Sequence, residues 1–394
     1  MTIGSARLSP ALLMATYFAV SFFVNGIVLP YFPVFLRDRG LSGEEIALVV
    51  GLPFMLRVFS MPVITAFADR MPDRRVLMLV LMLLITSAVV ALGPLTDPTA
   101  IVAVSLVILI LSYSHGPLTD TIAMSLERRG QGDYGKMRLW GSVSFIGGNL
   151  IGGAALDHFG VPAIYTLMMI GFSAAAFATF LLPRPGPMPT VQDAASLTIL
   201  RKPAFLAVLL AGGFVQSSHA ALYGFATITW QLRGYDEFLI GCFWAVGVVA
   251  EIILFAYASR LPQAIKPTTL IFIGGLIGVV RWGLFTVDAG AIPTLLIQIG
   301  HAGSFAIGHI GIMRFIKETV PEQRAASAQG TYVILLGFAM AAATAVSGRL
   351  WERIGDDAFG AMSVFAAIGV VILAITRSGA SRLPTLAGSE ARAA

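Results

Sequence analysis

An all-α protein embedded in a membrane is the fold class this sequence predicts, and three observations predict it. Of 394 residues, 57% are hydrophobic and only 12% charged, about half the charged share of a soluble domain. Apolar runs of roughly the 20 residues that cross a bilayer as a helix recur along the whole chain. Between two such series lies one long polar stretch, Leu182 to Pro203, in which Pro183, Pro185, Pro187 and Pro189 bar a continuous helix and Asp193, Arg201 and Lys202 require water.

Twelve spans are expected, six on each side of that strap. Their cores are 11–36, 44–67, 76–95, 99–122, 138–157 and 161–182, then 204–230, 238–259, 268–288, 291–315, 325–348 and 358–376. The domains expected are a six-helix bundle over 1–182, a cytoplasmic linker over 183–203, a second six-helix bundle over 204–380 and a cytoplasmic tail over 381–394. The first run is too long for a cleaved signal peptide and leads straight into Pro30 and Pro33. With the N-terminus inside, eighteen of the 26 Lys and Arg fall on the inner side and five on the outer, with Arg57, Arg281 and Arg314 inside spans. That bias puts both termini in the cytoplasm. It also explains the net charge of +5 without nucleic acid. The single cysteine, Cys242, excludes an intramolecular disulfide and a thiolate metal cluster.

Polar residues inside the spans mark where chemistry could sit. Tyr17, Ser21 and Asn25 follow one another at four-residue spacing, so they share a helix face. Ser112, His115 and Thr119 form a second stripe; Gln216, His219 and Tyr223 a third; Gln298, His301, Phe305 and His309 a fourth. A polar face in a span meets protein or water, so the stripes are either hydrogen bonds between helices or the wall of a wet cavity. Intramembrane charges are costly and functional by default. Glu251 and Arg281 sit at similar depth in antiparallel spans, so they are expected either to pair or to act on protons and anions. Arg57 either binds an anionic solute or reaches a neighbouring carbonyl. Asp120 and Arg138 are expected to gate the inner face, or else to be solvated helix ends. Gly148 and Gly152 mark close helix packing. No phosphate-binding glycine loop, HExxH or GxSxG is present, which argues against an enzyme and for no cofactor or metal.

Several stretches resemble one family. Ala66-Phe67-Ala68-Asp69-Arg70, followed by Asp73-Arg74-Arg75, is similar to the loop between the second and third helices of major facilitator superfamily transporters, with Ala66 where glycine is usual. Gly26 to Pro33 with Phe35-Leu36 and Gly40-Leu41-Ser42 resembles the first helix of the phenylpropionate permease and lactose permease group. Pro117 to Asp120 and Asp133 to Ser142 (DYGKMRLWGS) are similar to the phenylpropionate branch. The resemblance implies the twelve-helix major facilitator fold, in which spans 1, 4, 7 and 10 line a central cavity, and a monomer in a bacterial-type inner membrane.

It also implies proton-coupled import of a small organic solute by alternating access, with an aromatic carboxylate as the leading substrate. Export of drugs or metabolites, symport of a sugar or nucleoside, and a non-transporting receptor are the alternatives. On that resemblance Glu251, Arg281, His301 and His309 are the proton-coupling candidates. Asn25, Arg57, His115, Gln216, His219, Tyr223, Gln298 and Phe305 are the substrate-binding candidates, with Phe18, Phe22 and Phe214 as further ring contacts. Asp69, Arg70, Asp73, Arg74, Asp120 and Arg138 are the gating candidates. The family's second acid, three residues after the histidine, is absent: the positions hold Ser304 and Ile312.

Overall fold

The structure, a computed structural model, describes residues 9–71, 73–183, 201–262 and 264–380. The body of the polar strap, 184–200, and the tail, 381–394, lie outside the described residues. Fourteen helices follow in order: α1 (Pro10–Asp38), α2 (Gly43–Arg70), α3 (Arg74–Leu92), α4 (Pro98–Arg128), α5 (Tyr134–Phe159), α6 (Pro162–Leu181), α7 (Pro203–Ser217), α8 (Ala220–Leu232), α9 (Glu237–Ala256), α10 (Pro267–Phe285), α11 (Ala291–His301), α12 (Gly308–Thr319), α13 (Glu322–Ile354) and α14 (Ala358–Ala380). Among the described residues there is no strand.

Eleven stretches of the described residues are long and apolar enough to cross a membrane. The last, Ser327–Thr376, has 50 residues, about 75 Å as a helix and more than twice a bilayer core. A 3-10 turn at Gly355–Asp357 divides it into α13 and α14. Two of the expected uninterrupted spans are interrupted. The chain over 204–230 breaks at Ser218 and His219, between α7 and α8. The chain over 291–315 widens into a π-helical segment, Ala302–Ile307, between α11 and α12.

The starts of the helices follow from local chemistry. Ser9 caps α1 with Pro10 in its first turn, and Asp97 caps α4 with Pro98 beside it. Asp133 accepts from the amide of Lys136 at 2.8 Å and caps α5, so the first residue of the DYGKMRLWGS block starts a helix.

Contacts gather the helices into two compact units. One holds α1, the part of α2 from Phe59, α3 to α6, and Asp236–Cys242; the other holds Ser42–Val58, α7, α8, the rest of α9 and α10 to α14. In the first, α1 packs on α5 and α6, and α3 packs on α6 and α4. In the second, α7 packs on α13 and α14, while α10 packs on α14, α12 and the π segment. The same four pairings thus occur in each unit at equivalent places in the two halves, as a parallel repeat requires.

Neighbouring lipid is as apolar as leucine, so packing within a span bundle relies on close approach rather than on hydrophobic burial. The α1–α5 crossing shows this. A side chain at Gly26 would collide with the main chain of Phe145, one at Gly148 with the carbonyl of Phe23, and one at Gly152 with the ring of Tyr31. Gly148 and Gly152 are the close-packing pair read from the sequence. Tyr31 then donates to the carbonyl of Asn149 at 2.7 Å, tying the two helices at that point.

Gly148→Leu is expected to lower stability by about 1–3 kcal/mol through overpacking. Gly147, whose added Cβ would meet nothing within 4 Å, is the control. Thermal unfolding of the two purified variants in detergent checks this: equal shifts would show that the crossing does not depend on glycine.

Candidate functional site

The first unit holds a cavity of about 100 Å³, lined by Ser21, Asn25, His115, Thr119, Asp120 and Arg138 among others. Two of the predicted stripes therefore meet. Tyr17, fully buried, brings its hydroxyl to 2.7 Å from His115 Nε2, and Thr119 Oγ1 lies 3.2 Å from His115 Nδ1. Asn25 donates to the carbonyl of Ser21, one turn earlier. Asp120 and Arg138 line this cavity too. Tyr134 donates to Asp120 at 3.1 Å, while the Arg138 guanidinium lies over the Phe22 ring at 3.9 Å and the Phe18 ring at 5.6 Å.

The loop after α2 is built around helix ends. Asp73 caps α3 by accepting from the amide of Arg75, and the Arg75 side chain folds back onto Asp73. Arg75 also donates to the carbonyl of Leu182, just beyond α6. Arg70 is exposed, Arg74 half-buried, and the side chain of Asp69 lies outside the described residues. At the equivalent turn of the other half, Arg314 of α12 donates to the carbonyls of Ala258 and Leu261, both at 3.1 Å.

The second unit holds the densest polar cluster. Arg281 on α10 is 3% exposed. Its Nη2 donates to Gln298 Oε1 at 2.6 Å, its Nε to the carbonyl of Ile297 at 3.0 Å, and its Nη1 to Ser304 Oγ at 3.4 Å. The guanidinium carbon stands 4.3 Å from the centre of the Trp282 ring. Trp282 is fixed in turn, donating to Ser218 at 2.9 Å in the break between α7 and α8. Gln298 is used at both ends, since its amide nitrogen donates to the carbonyl of Phe243.

His219, in the same break, lies 3.0 Å from the Gln216 carbonyl through Nδ1 and 3.1 Å from Ser304 Oγ through Nε2. A carbonyl can only accept, so in the neutral ring Nδ1 carries the proton and Nε2 accepts from Ser304. Gln216 donates to the carbonyl of Phe305. His219 meets the His301 ring edge-on at 5.2 Å between centroids, and Phe305 stacks between His301 at 5.2 Å and His309 at 6.3 Å. The carboxylate of Glu251 on α9 comes to 3.5 Å from His301 Nε2. The expected pairing of Glu251 with Arg281 does not form. Among the described residues no carboxylate lies within ion-pair distance of Arg281, and neutral Gln298, Ser304 and a main-chain carbonyl take three of its five donors.

The third and fourth stripes thus converge on Arg281, as the first two converge on His115. Arg57 belongs with the second unit, where its guanidinium lies 5.3 Å from the Phe54 ring. Three contributors were not singled out in the sequence. Ser304 is a hub for His219 and Arg281, Trp282 flanks the guanidinium, and Ser218 anchors Trp282. Ser304 stands at the place of the family's second acid, which was the available signal. The break at Ser218 has no proline or glycine beside it to announce it.

Gln298→Leu keeps the volume of the site but leaves Arg281 Nη2 and the Phe243 carbonyl short of a partner. It is expected to cost about 1–3 kcal/mol in a thermal or denaturant unfolding measurement, and an unchanged midpoint would mean the guanidinium is held by its other contacts.

A family model described as the MFS_1 like family matches residues 11–367. The chain is 31% identical over 363 residues to the probable 3-phenylpropionic acid transporter of Escherichia coli (strain K12), covering 88% of this chain and 92% of that one. It is 24% identical to the maltose permease of Geobacillus stearothermophilus, over 91% of this chain and 92% of the relative. Among solved structures, the nucleoside transporter NupG superposes with a TM-score of 0.78 at 18% identity, covering 94% of this chain and 99% of that one. A bacterial homolog of the human lysosomal transporter Spinster, in an inward-facing and occupied conformation, superposes with a TM-score of 0.71 at 15% identity, covering 95% and 96%.

Proposed function

Because the chain belongs to the MFS_1 like family and is a major facilitator superfamily transporter resembling the phenylpropionate permease group, we propose that it imports a small aromatic carboxylate together with protons. The transporter has twelve spans in two six-helix bundles, both termini in the cytoplasm, and works as a monomer in a bacterial-type inner membrane. The observation that carries the substrate class is Arg281. It is a buried guanidinium with no carboxylate in reach among the described residues, and it is flanked by the Trp282 and Phe285 rings. A bare cation in such a place is costly. A carboxylate substrate supplies the missing charge through two parallel hydrogen bonds, and the aromatic groups match its ring. The relative in Escherichia coli, named for 3-phenylpropionic acid, supports the same class.

Glu251 and His301 form the proton site on this reading. They face each other at 3.5 Å, His301 meets the His219 ring edge-on, and His219 is bonded through Ser304 to Arg281, so protonation at one end and charge at the other belong to one cluster. Bringing the substrate carboxylate to Arg281 changes the field at His301 and Glu251, and alternating access then carries proton and solute together. His309 lies one ring further along the stack. The loop with Asp69, Arg70, Asp73 and Arg74 ties helix ends and serves the switching step, not substrate contact. On this reading Asn25 and His115 contact the solute within the first unit, and Asp120 and Arg138 serve as a gate there.

Two outcomes follow. Arg281→Gln should weaken binding of 3-phenylpropionate by about 10- to 100-fold, the worth of a hydrogen-bonded charge, while 3-phenylpropionamide changes little. Equal losses for acid and amide in a ligand-binding titration would remove the carboxylate assignment. Glu251→Gln should abolish accumulation driven by an imposed pH gradient in proteoliposomes yet keep counterflow exchange. Retained accumulation there, with loss in His301→Gln, would move the proton site to His301.

A further inference from the structure

Outside the polar cluster, α10 and α11 leave a groove of about 440 Å³ between them, and Arg281 is part of its lining. Its walls are Leu276, Val280, Leu284, Leu296 and Ile297, with Gly300 beside the arginine stem. Val280 is 62% exposed and Leu296 63% exposed. In a membrane-spanning chain, apolar side chains exposed on the outside of the bundle face acyl chains. The groove is therefore open to hydrocarbon and carries one cationic residue, Arg281, in its lining. Gly300 keeps it open: an added Cβ would touch only Arg281 Cδ, at 3.5 Å, so any larger side chain there would project into the groove.

Arg281 separates two environments. On one side stand Gln298 and Ser304; on the other stands an apolar slot reaching the bilayer. Of its five N–H groups, three meet the acceptors Ile297, Gln298 and Ser304, the last at the long distance of 3.4 Å. Two remain for a further acceptor. An apolar slot lined in part by a cation with donors to spare is complementary to one kind of molecule, a carboxylate on an apolar tail.

We infer that the α10–α11 groove is a lateral subsite for the tail of a lipophilic carboxylic acid dissolved in the bilayer, whose carboxylate is held by Arg281. The inference rests on the reading of Arg281 as the carboxylate anchor and extends it. A short aryl acid fits at the cluster, while a longer acid reaches the same guanidinium from the membrane with its tail still in hydrocarbon. A tail that never leaves hydrocarbon forfeits none of its transfer free energy, so acids too long for the closed cluster remain ligands.

The test uses the full chain in lipid nanodiscs and an eleven-carbon fatty acid carrying a terminal diazirine. After irradiation, the labelled residues are found by mass spectrometry. Labelling is expected on α10 and α11 at groove residues, and it should fall by about tenfold in Arg281→Gln. Gly300→Leu and Val280→Trp, both at positions with room for the change, should block labelling while leaving the affinity for 3-phenylpropionate within about twofold. An eleven-carbon alcohol with the same diazirine is the control for ordinary lipid contact. Equal labelling by acid and alcohol would mean the groove merely holds bilayer tails, and the inference fails. It fails also if the acid labels elsewhere, or if Gly300→Leu and Val280→Trp leave the pattern unchanged. Arginine-dependent labelling in the groove that excess 3-phenylpropionate does not displace would keep the lateral subsite and refute the aryl-acid reading instead.

Discussion

A guanidinium inside a helix bundle, 3% exposed and without a carboxylate in ion-pair range among the described residues, is the constraint on which the second unit depends. Moving such a charge out of water is expensive, and neutral acceptors recover only part of the cost. The neighbouring structure is arranged to recover that part. α11 supplies Gln298 and a main-chain carbonyl, the π segment supplies Ser304, and Trp282 lends its ring face. The two interruptions of regular helix both lie here. The break at Ser218 and His219 gives Trp282 and Ser304 their partners, and the π segment begins one residue after His301. Irregular backbone at membrane depth is tolerated where it is buried in protein or lines a cavity, and π-helical turns concentrate at functional sites. The backbone and the charge thus mark the same place.

The first unit solves a different problem. Among its described residues there is no buried cation of that kind, and its cavity of about 100 Å³ is lined by His115 and Thr119 in direct contact, with Tyr17 bonded to His115. Its closest helix crossing is that of α1 and α5, whose glycines let the main chains approach until Tyr31 can bond across to Asn149. Arg138, which enters from the first turns of α5, stacks on Phe22. The same helix pairings organise both units, so duplicated packing carries two unlike polar interiors.

Much of this was legible in the sequence. The period of apolar runs and the scarcity of charge in them pointed to membrane-crossing helices, since a bilayer imposes a length on each, and the described residues hold eleven stretches of that kind. Three- and four-residue spacing gave the faces: Asn25 bonds back to Ser21, and His301, Phe305 and His309 stack in a row although the chain between them is π-helical. Gly148 and Gly152 announced close packing correctly. The hidden part is tertiary. Two charges at similar depth, Glu251 and Arg281, were expected to meet, but depth does not fix rotation about the helix axis, and Glu251 turns to His301 while Arg281 turns to Gln298. The break at Ser218 and the π segment at Ala302–Ile307 have no local sequence cause, being stabilised by bonds to residues far along the chain. Asp73 and Asp133 look like loop charges in sequence, and their role as helix caps becomes visible only once the helix starts are known.

The central claim is that Arg281 receives the carboxylate of the substrate, and a distance measures it most directly. Protein labelled with ¹⁵N in its arginine guanidinium groups, reconstituted in lipid and loaded with 3-phenylpropionate carrying ¹³C at the carboxylate, can be examined by dipolar-recoupling solid-state NMR. The account predicts a carbon–nitrogen separation of about 4 Å, the geometry of a bidentate pair, present in the native protein and absent in Arg281→Lys. A bound ligand whose carboxylate shows no coupling to any arginine, or a coupling that survives Arg281→Lys, would contradict it.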